Sequence, residues 1–222
     1  GHHLSFADST ILVCTVAIPR RTTRGRSSAA SDLYKRQRYF DEDDLEVDII
    51  TTTGGAENVQ LIVSGGAEIV ITPGNSSPTN DGVSAILVMS EEKALALGLE
   101  PLARIIGFGV AGVKPQLMGL GPIPATNKAM KYAGLTMDQI DRVEFNEAFA
   151  AQIIPSAREL GIPMEKLNVS GGALAIGHPL GATGARLVLS LAHELRRSNS
   201  KYGVATQCIG AGMGITTVIE NL

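Results

Sequence analysis

The strongest constraint on this chain is a glycine-rich run that encloses one histidine, Gly171-Gly-Ala-Leu-Ala-Ile-Gly-His-Pro-Leu-Gly-Ala-Thr-Gly-Ala-Arg186. Glycine has no Cβ and tolerates positive φ, so such a run lets backbone come close to a bound molecule. Two further segments carry polar groups in similar settings. Cys208-Ile-Gly-Ala-Gly-Met-Gly214 sets a cysteine ahead of a glycine turn, and Asn146-Glu-Ala-Phe-Ala-Ala-Gln152 opens a predicted helix with an asparagine.

Bulk properties exclude several classes. With 222 residues, 44% of them hydrophobic, the chain can bury one good core or two small ones. A net charge of −3 and a pI near 5.8 favour neither nucleic acid nor an anionic membrane surface. The absence of tryptophan and an aromatic content of 4% argue against a stacking platform for single strands. Two cysteines make no disulfide scaffold, and their surroundings suggest reduced, intracellular chemistry. No apolar run approaches the ~20 residues of a membrane span. Ile11 to Ile18 is apolar, but no charged region precedes it and Arg20 and Arg21 follow, so it does not read as a signal peptide.

Composition shifts near residue 70. Residues 1–70 read as an atypical or chimeric N-terminal region, in which Gly1-His-His3 reads as an expression-tag remnant or a fragment end and Ile11 to Ile18 as one buried strand. Arg20 to Arg38 is basic and serine-rich, and Asp41 to Asp48 is acidic. An organellar presequence and a solvated basic loop are two readings of this stretch. A third is preferred: Ser27-Ser-Ala-Ala-Ser-Asp-Leu-Tyr-Lys-Arg-Gln37 resembles a translated transposon end, which implies that residues 27–37 join two unrelated stretches.

Beyond Ile69 the pattern is orderly. Ser84 to Met89 reads as a buried strand, and Ser90 caps a short helix with Glu91 and Glu92 in its first turn, stopping at Gly98. Pro101 to Gly109 contains a strand, and a helix from about Ala125 ends at Gly134. Thr136 to Gln139 matches a capping box. Val143 to Phe145 is a short strand, after which Asn146 is expected to cap a helix running to Gly161 and kinked at Pro155. Ala182 to Arg197 is a long helix, and Val204 to Cys208 and Ile215 to Ile219 are strands joined by a tight turn. The close final pair must be antiparallel, so alternating strands and helices predict an α/β layered fold with a mixed sheet.

Taken alone, His178 reads as an ordinary loop residue, Cys208 as a small buried hydrophobe, Asn146 as a plain cap and His193 as a surface residue. His178 and Cys208 do, however, lie at the ends of predicted strands, where open α/β sheets bind ligands. A zinc site lacks two ligands at usual spacings. Gly177 is followed by histidine where a P-loop needs lysine, and Gly210-Ala-Gly-Met-Gly214 is not a dinucleotide fingerprint. The functional case rests on the conjunction.

These segments, with Thr72-Pro-Gly-Asn-Ser-Ser77, Asn80-Asp-Gly82 and Met118-Gly-Leu-Gly-Pro-Ile-Pro-Ala125, resemble those of thiolases, in family order and from about Ile71 to the C-terminus. The resemblance implies a layered fold built from two related halves, with helices on both faces of a mixed sheet. Residues 99–222 would form the C-terminal domain, and residues 71–98 would complete the first half, which is otherwise largely missing. Thiolases join or cleave carbon–carbon bonds between acyl-CoA molecules through a nucleophilic cysteine. By resemblance, His178 activates that nucleophile and helps form an oxyanion hole in which Asn146 holds a water. Cys208 moves the proton at the substrate α-carbon, and the Gly210 N–H donates into a second oxyanion hole. Ser77 and Met118 line the pantetheine and acyl tunnel. The implied partners are acyl-CoA and CoA, the latter as substrate with no further cofactor or metal, in a homo-oligomer located in the cytoplasm or an organellar matrix.

Three departures qualify the resemblance. The family's nucleophile lies in a Cys-x-Ser-Gly context, whereas Cys14 lies in Leu-Val-Cys-Thr-Val-Ala, and the glycine-rich Gly54-Gly-Ala-Glu-Asn58 and Gly65-Gly66 hold no cysteine. Pro73 and Ala211 stand where the family commonly has alanine and glycine, and the Ala211 Cβ is expected to crowd the Gly210 donor. The chain as it stands is therefore expected not to turn over, and an apolar face that the first half would cover is expected to be exposed. The rival readings are a non-catalytic thiolase-like module that binds CoA or a partner, and one subunit of a split enzyme. Sequencing source DNA from Arg20 to Ile71 is expected to restore a longer frame with a Cys-x-Ser-Gly segment; uninterrupted DNA encoding residues 27–37 would overturn the junction.

Overall fold

A computed structural model of the protein describes residues 10–15 and 75–222. The Arg20–Asp48 stretch, the proposed junction at residues 27–37, the segments at Gly54 and Gly65, and Pro73 lie outside the described residues. Six strands are described: β1 (Thr10–Thr15), β2 (Ala85–Ser90), β3 (Ala103–Gly112), β4 (Arg142–Phe145), β5 (Tyr202–Ile209) and β6 (Met213–Asn221). They form one sheet in the order β2-β1-β3-β6-β5-β4. All neighbours are antiparallel except β4 and β5, which run parallel with Phe145 opposite Thr206. The expected mixed sheet is therefore present, and Cys14 lies within β1 opposite Ile86.

Helices cover both faces, as strand periodicity requires. Val204 and Val218 pack into one core with Ala129, Met130, Phe145, Ile153 and Ala157. Their chain neighbours Ala205 and Ile219 point the other way, into a second core with Leu187, Leu191 and Leu195. The first face carries α2 (Pro122–Ala133) and α3 (Ala150–Glu159), and the second carries α5 (Leu180–Arg197). A short α1 (Glu91–Ala96) follows β2, and a single turn α4 (Ala173–Ile176) precedes α5.

Local chemistry explains most boundaries. The Lys93 N–H donates to Ser90 Oγ at 3.2 Å, so Ser90 caps α1, with Glu91 and Glu92 at the positive end of the helix. Helix α2 starts at Pro122, earlier than the expected Ala125, because proline suits the first helical position, where its missing N–H costs nothing. It ends at Gly134 in the left-handed conformation. The Thr136 N–H donates to Gln139 Oε1 at 2.9 Å, in the expected capping box. Arg196 and Arg197 close α5, where cations complement the helix dipole.

The boundary at Asn146 also differs from expectation. Helix α3 begins at Ala150 with Phe149 as its N-cap, so Asn146 caps nothing. The Asn146 N–H instead donates to the Thr206 carbonyl at 2.9 Å, continuing the β4–β5 ladder by one residue. Its side chain is fully buried and turns elsewhere.

Two polar features are sealed in this core. Thr126 of α2 meets Thr206 and Thr216 at 3.3 and 3.0 Å, and those two lie 2.7 Å apart, so three buried hydroxyls satisfy one another between helix and sheet. On the opposite face Glu144 of β4 accepts from Arg186 of α5 at 3.1 Å. The described residues also expose several large apolar side chains around β2 and α1, among them Leu87, Val88, Leu95 and Leu97.

Burial raises the Glu144 carboxyl from its ordinary 4.5 to about 7, with Arg186 opposing the rise and Glu147 and Glu194 reinforcing it. Between those values the folded protein holds a proton that the unfolded chain has released. The stability this group contributes is therefore full below the unfolded value and is lost as pH rises through about 7, by up to about 3 kcal/mol. Glu144→Gln is expected to abolish that loss. Urea denaturation of both proteins from about pH 5 to about pH 8 checks it, and parallel stability curves would refute the assignment.

The β5–β6 hairpin turns through Gly210, Ala211 and Gly212, and Ala211 has φ +68°. A Cβ in this left-handed region costs about 1 kcal/mol. Ala211→Gly is therefore expected to raise the unfolding free energy by up to about 1 kcal/mol, offset in part by the greater freedom of unfolded glycine. A rise in the urea midpoint at unchanged slope is the corresponding observation.

Candidate active site

The carboxyl ends of the parallel strands β4 and β5 lie side by side; Asn146 follows β4 directly and Cys208 is the last residue but one of β5. Loops and helix ends from both faces of the sheet converge here. Residues 75–77 pair with residues 148–150: the Ser77 N–H and Oγ both donate to the Ala148 carbonyl, at 3.0 and 3.3 Å, and the Ala150 N–H donates to the Asn75 carbonyl at 2.9 Å. The His178 N–H donates to the Pro78 carbonyl at 3.1 Å. Ser77 is thereby held between the segment that follows Asn146 and the loop that carries His178.

The glycine-rich loop is fixed by close contacts rather than by bulk. Gly177 has φ +99°, and a Cβ built there would overlap the Asn80 amide, which donates to the Ile176 carbonyl at 3.3 Å. Only glycine meets both demands. Glu147, next to Asn146, accepts from the Leu174 N–H at 2.9 Å and from Asn168 Nδ2 at 2.7 Å. Asn168 in turn exchanges hydrogen bonds with the Phe145 backbone at 2.8 and 2.9 Å. One acidic side chain thus ties the end of β4 to the loop that delivers the histidine.

His178 stands just ahead of α5, half-buried, with both ring nitrogens engaged. Nε2 lies 3.3 Å from Asn146 Nδ2, and Nδ1 lies 2.6 Å from Thr183 Oγ1. Burial lowers the imidazole pKa, and the nearby Arg186 cation lowers it further, so the ring is neutral at neutral pH with a free basic nitrogen. Asn146 Oδ1 is buried and, among the described residues, meets no donor.

Cys208 occupies the penultimate position of β5, half-buried, and its Sγ lies 3.5 Å from Gln152 Oε1. Burial pushes its pKa up, so it rests as a thiol. The Gln152 amide donates from Nε2 to the Gly119 carbonyl at 3.4 Å, which turns its oxygen toward the sulfur. An amide turned the other way would donate to a thiolate and stabilise it; the Gly119 carbonyl excludes that orientation. Gly119 belongs to the 3-10 segment Pro115–Leu120, which also carries the half-buried Met118. That segment reaches the hairpin because Gly121 and Gly214 lack Cβ atoms, either of which would strike the other's backbone.

The structure thus brings Asn146 into contact with His178, holds Ser77 on the Ala148 carbonyl, and sets Met118 next to Gly119, whose carbonyl holds the Gln152 amide that meets Cys208. Gly210 lies at the exposed hairpin tip with open space where a Cβ would stand. Ala211 is exposed there too, and its cost lies in its backbone conformation. His193 is exposed on α5. Sequence reading passed over Thr183 and gave Gln152 no role, because each acts only through a partner distant in the chain or hidden by helical geometry. Among the described residues no cluster of three or more His, Cys, Asp or Glu side chains could hold a metal ion. No described helix is long and apolar enough to cross a membrane.

Residues 99–221 match the family of the thiolase C-terminal domain. An acetyl-CoA acetyltransferase of Syntrophomonas wolfei is 53% identical over 154 residues, covering 68% of this chain and 39% of that protein. A 3-ketoacyl-CoA thiolase of Bacillus subtilis is 55% identical over 150 residues, with 68% and 38% covered. The crystal structure of human mitochondrial 3-ketoacyl-CoA thiolase in complex with CoA superposes with a TM-score of 0.67 at 46% identity, covering 68% of this chain and 39% of that one. The chain spans about two-fifths of the length of these relatives. With its matched domain, its mixed sheet and the convergence of Asn146, His178 and Cys208 on one sheet edge, the chain belongs to the thiolase family.

Proposed function

We propose that these residues supply the base, the oxyanion donors and the proton-moving thiol of an acyl-CoA C-acyltransferase, working by thiolysis of a 3-ketoacyl-CoA or the reverse condensation. The observation that carries this reading is His178 Nε2 set 3.3 Å from the Asn146 amide at the strand ends where Cys208 also lies. CoA bound in the human relative supports CoA and its thioesters as ligands, with Ser77 and Met118 along their path.

Thiolysis begins when His178 Nε2 takes the proton of a nucleophilic thiol. The thiolate attacks the 3-keto carbon, and the carbon–carbon bond breaks toward the thioester. The departing enolate takes a proton at its α-carbon from Cys208 and leaves as acetyl-CoA. The Gly210 N–H and the His178–Asn146 pair stabilise the negative oxygens in turn. The partnerless Asn146 Oδ1 gives a bridging water one acceptor. The thiol of free CoA then gives its proton to the Cys208 thiolate and, as a thiolate, takes the acyl group. The released nucleophile sulfur regains its proton from the His178 imidazolium, so each group returns to its starting state.

Neither cysteine of these residues lies in a Cys-x-Ser-Gly context, so the acyl-carrying thiol comes from elsewhere, on a partner polypeptide or outside this sequence. Mixed with acetoacetyl-CoA and CoA, the chain alone is expected to form no acetyl-CoA. Co-expression with a thiolase first half carrying its cysteine is expected to give activity, lowered about 10²- to 10⁴-fold by His178→Ala or Cys208→Ala. Turnover by the isolated chain that survives Cys14→Ala would refute the external nucleophile. Full activity of the co-expressed His178→Ala protein would refute the assigned base.

A further inference from the structure

We propose that Thr183 is the positioning residue that fixes the tautomer of His178, holding the proton on Nδ1 and leaving Nε2 free. A neutral imidazole carries one ring proton, and only the unprotonated nitrogen can act as a base. Among the described residues the far side of His178 meets a threonine hydroxyl rather than a carboxylate. The inference deepens the reading of His178 as the base and rests on it for its catalytic meaning.

The assignment follows from counting protons. Thr183 is completely buried in the first turn of α5. Its Oγ1 lies 3.0 Å from the Pro179 carbonyl and 2.6 Å from His178 Nδ1. A carbonyl oxygen can only accept, and the Pro179 oxygen, which also takes the Ala182 N–H at 2.8 Å, has a second lone pair to which the hydroxyl donates. The hydroxyl then has only lone pairs to offer Nδ1, which must bring the proton itself. Donation back to the carbonyl four residues earlier is a common habit of threonine in helices. Here it gives the hydroxyl one polarity.

The other side of the ring agrees. With Nδ1 protonated, Nε2 is an acceptor, and Asn146 Nδ2 donates to it across 3.3 Å. One amide oxygen, Asn146 Oδ1, is then left without a protein partner. The opposite tautomer would require the amide to turn over and present its oxygen to an Nε2–H. Its NH2 group, with two donors, would then take the buried position where one oxygen now stands without a partner among the described residues. Both neighbours favour the same tautomer. When Nε2 takes a proton, Nδ1–H goes on donating to the hydroxyl, so the ring keeps its place through the cycle.

The test reads the ring directly and needs no turnover. Nitrogen-15 NMR of the full chain, labelled at histidine and assigned by comparison with His178→Gln, distinguishes the two tautomers by their ring nitrogen shifts. Wild-type His178 is expected as the neutral Nδ1–H form at neutral pH. Thr183→Ser keeps the hydroxyl and is expected to keep that form, while Thr183→Val is expected to admit the Nε2–H form. In the co-expressed enzyme the valine variant is expected to lose about tenfold or more in kcat with little change in KM, and the serine variant to restore it. An Nε2–H or doubly protonated ring in the wild-type protein, or an unchanged tautomer in Thr183→Val, would overturn the proposal. If the valine variant does not fold, the wild-type and serine spectra decide it alone. An Nδ1–H ring in a co-expressed enzyme that does not need His178 would leave the tautomer assignment standing and sink the base.

Discussion

Parallel pairing of β4 with β5 is the constraint on which the site depends. In a sheet otherwise joined by antiparallel ladders, this one pair ends both strands at the same edge. The ladder then runs one bond further, from the Asn146 N–H to the Thr206 carbonyl, before the chains part. That bond buries Asn146 and aims its amide away from any helix cap. It also sets Asn146 level with the residue before Cys208. A slip of one residue along β5 would send Cys208 to the α5 face and expose Ala205 to the wrong core, so the hydrophobic pattern itself guards the register of the polar groups.

Both faces of the sheet feed that edge through different chemistry. On the α3 side the contacts are soft: a thiol, an amide and the carbonyl of a 3-10 turn. On the α5 side they are charged, with Arg186 buried between the Glu144 carboxyl and the base. Arg186 is itself held below its usual pKa by burial, so neither member of the pair is at ease in the core. The pair does, however, keep positive charge near His178, which is one reason the ring stays neutral. The ion pair contributes little to holding the helix on the sheet; Leu187, Leu191 and Leu195 do that.

Much of the fold was legible because its signals are local. Ser90, Gly134, Thr136 and Gln139 mark element ends by their own side chains or by the want of one, and the structure places the ends there. Strand identity was legible too, since Val204 to Cys208 and Ile215 to Ile219 are apolar runs broken by a turn. The position of β1 between β2 and β3 was not, because strand order follows from pairings between residues about 70 to 95 apart in the chain, which no window of periodicity contains. Asn146 was misread for a related reason. An asparagine before a helix looks like a cap, and only the Thr206 carbonyl across the ladder gives its backbone another use. Thr183 was hidden differently: inside a helical run its hydroxyl reads as neutral, and its meaning depends on a histidine one turn earlier.

Burial acts on the two titratable groups at the edge in ways that serve one sequence of events. It disfavours charge, so it strips the proton from an imidazole and keeps the proton on a thiol. The same dry environment therefore leaves His178 as an empty base and Cys208 as a loaded acid. The proposed carbon–carbon cleavage needs both at the outset, one to receive a proton from sulfur and the other to give one to carbon. Hydrogen bonding then refines what burial begins. Gly119 turns the Gln152 oxygen to the thiol, and the Pro179 carbonyl turns the Thr183 lone pairs to the imidazole. In each case a backbone carbonyl, which can only accept, fixes the orientation of a side chain that could serve either way, and that side chain fixes the proton.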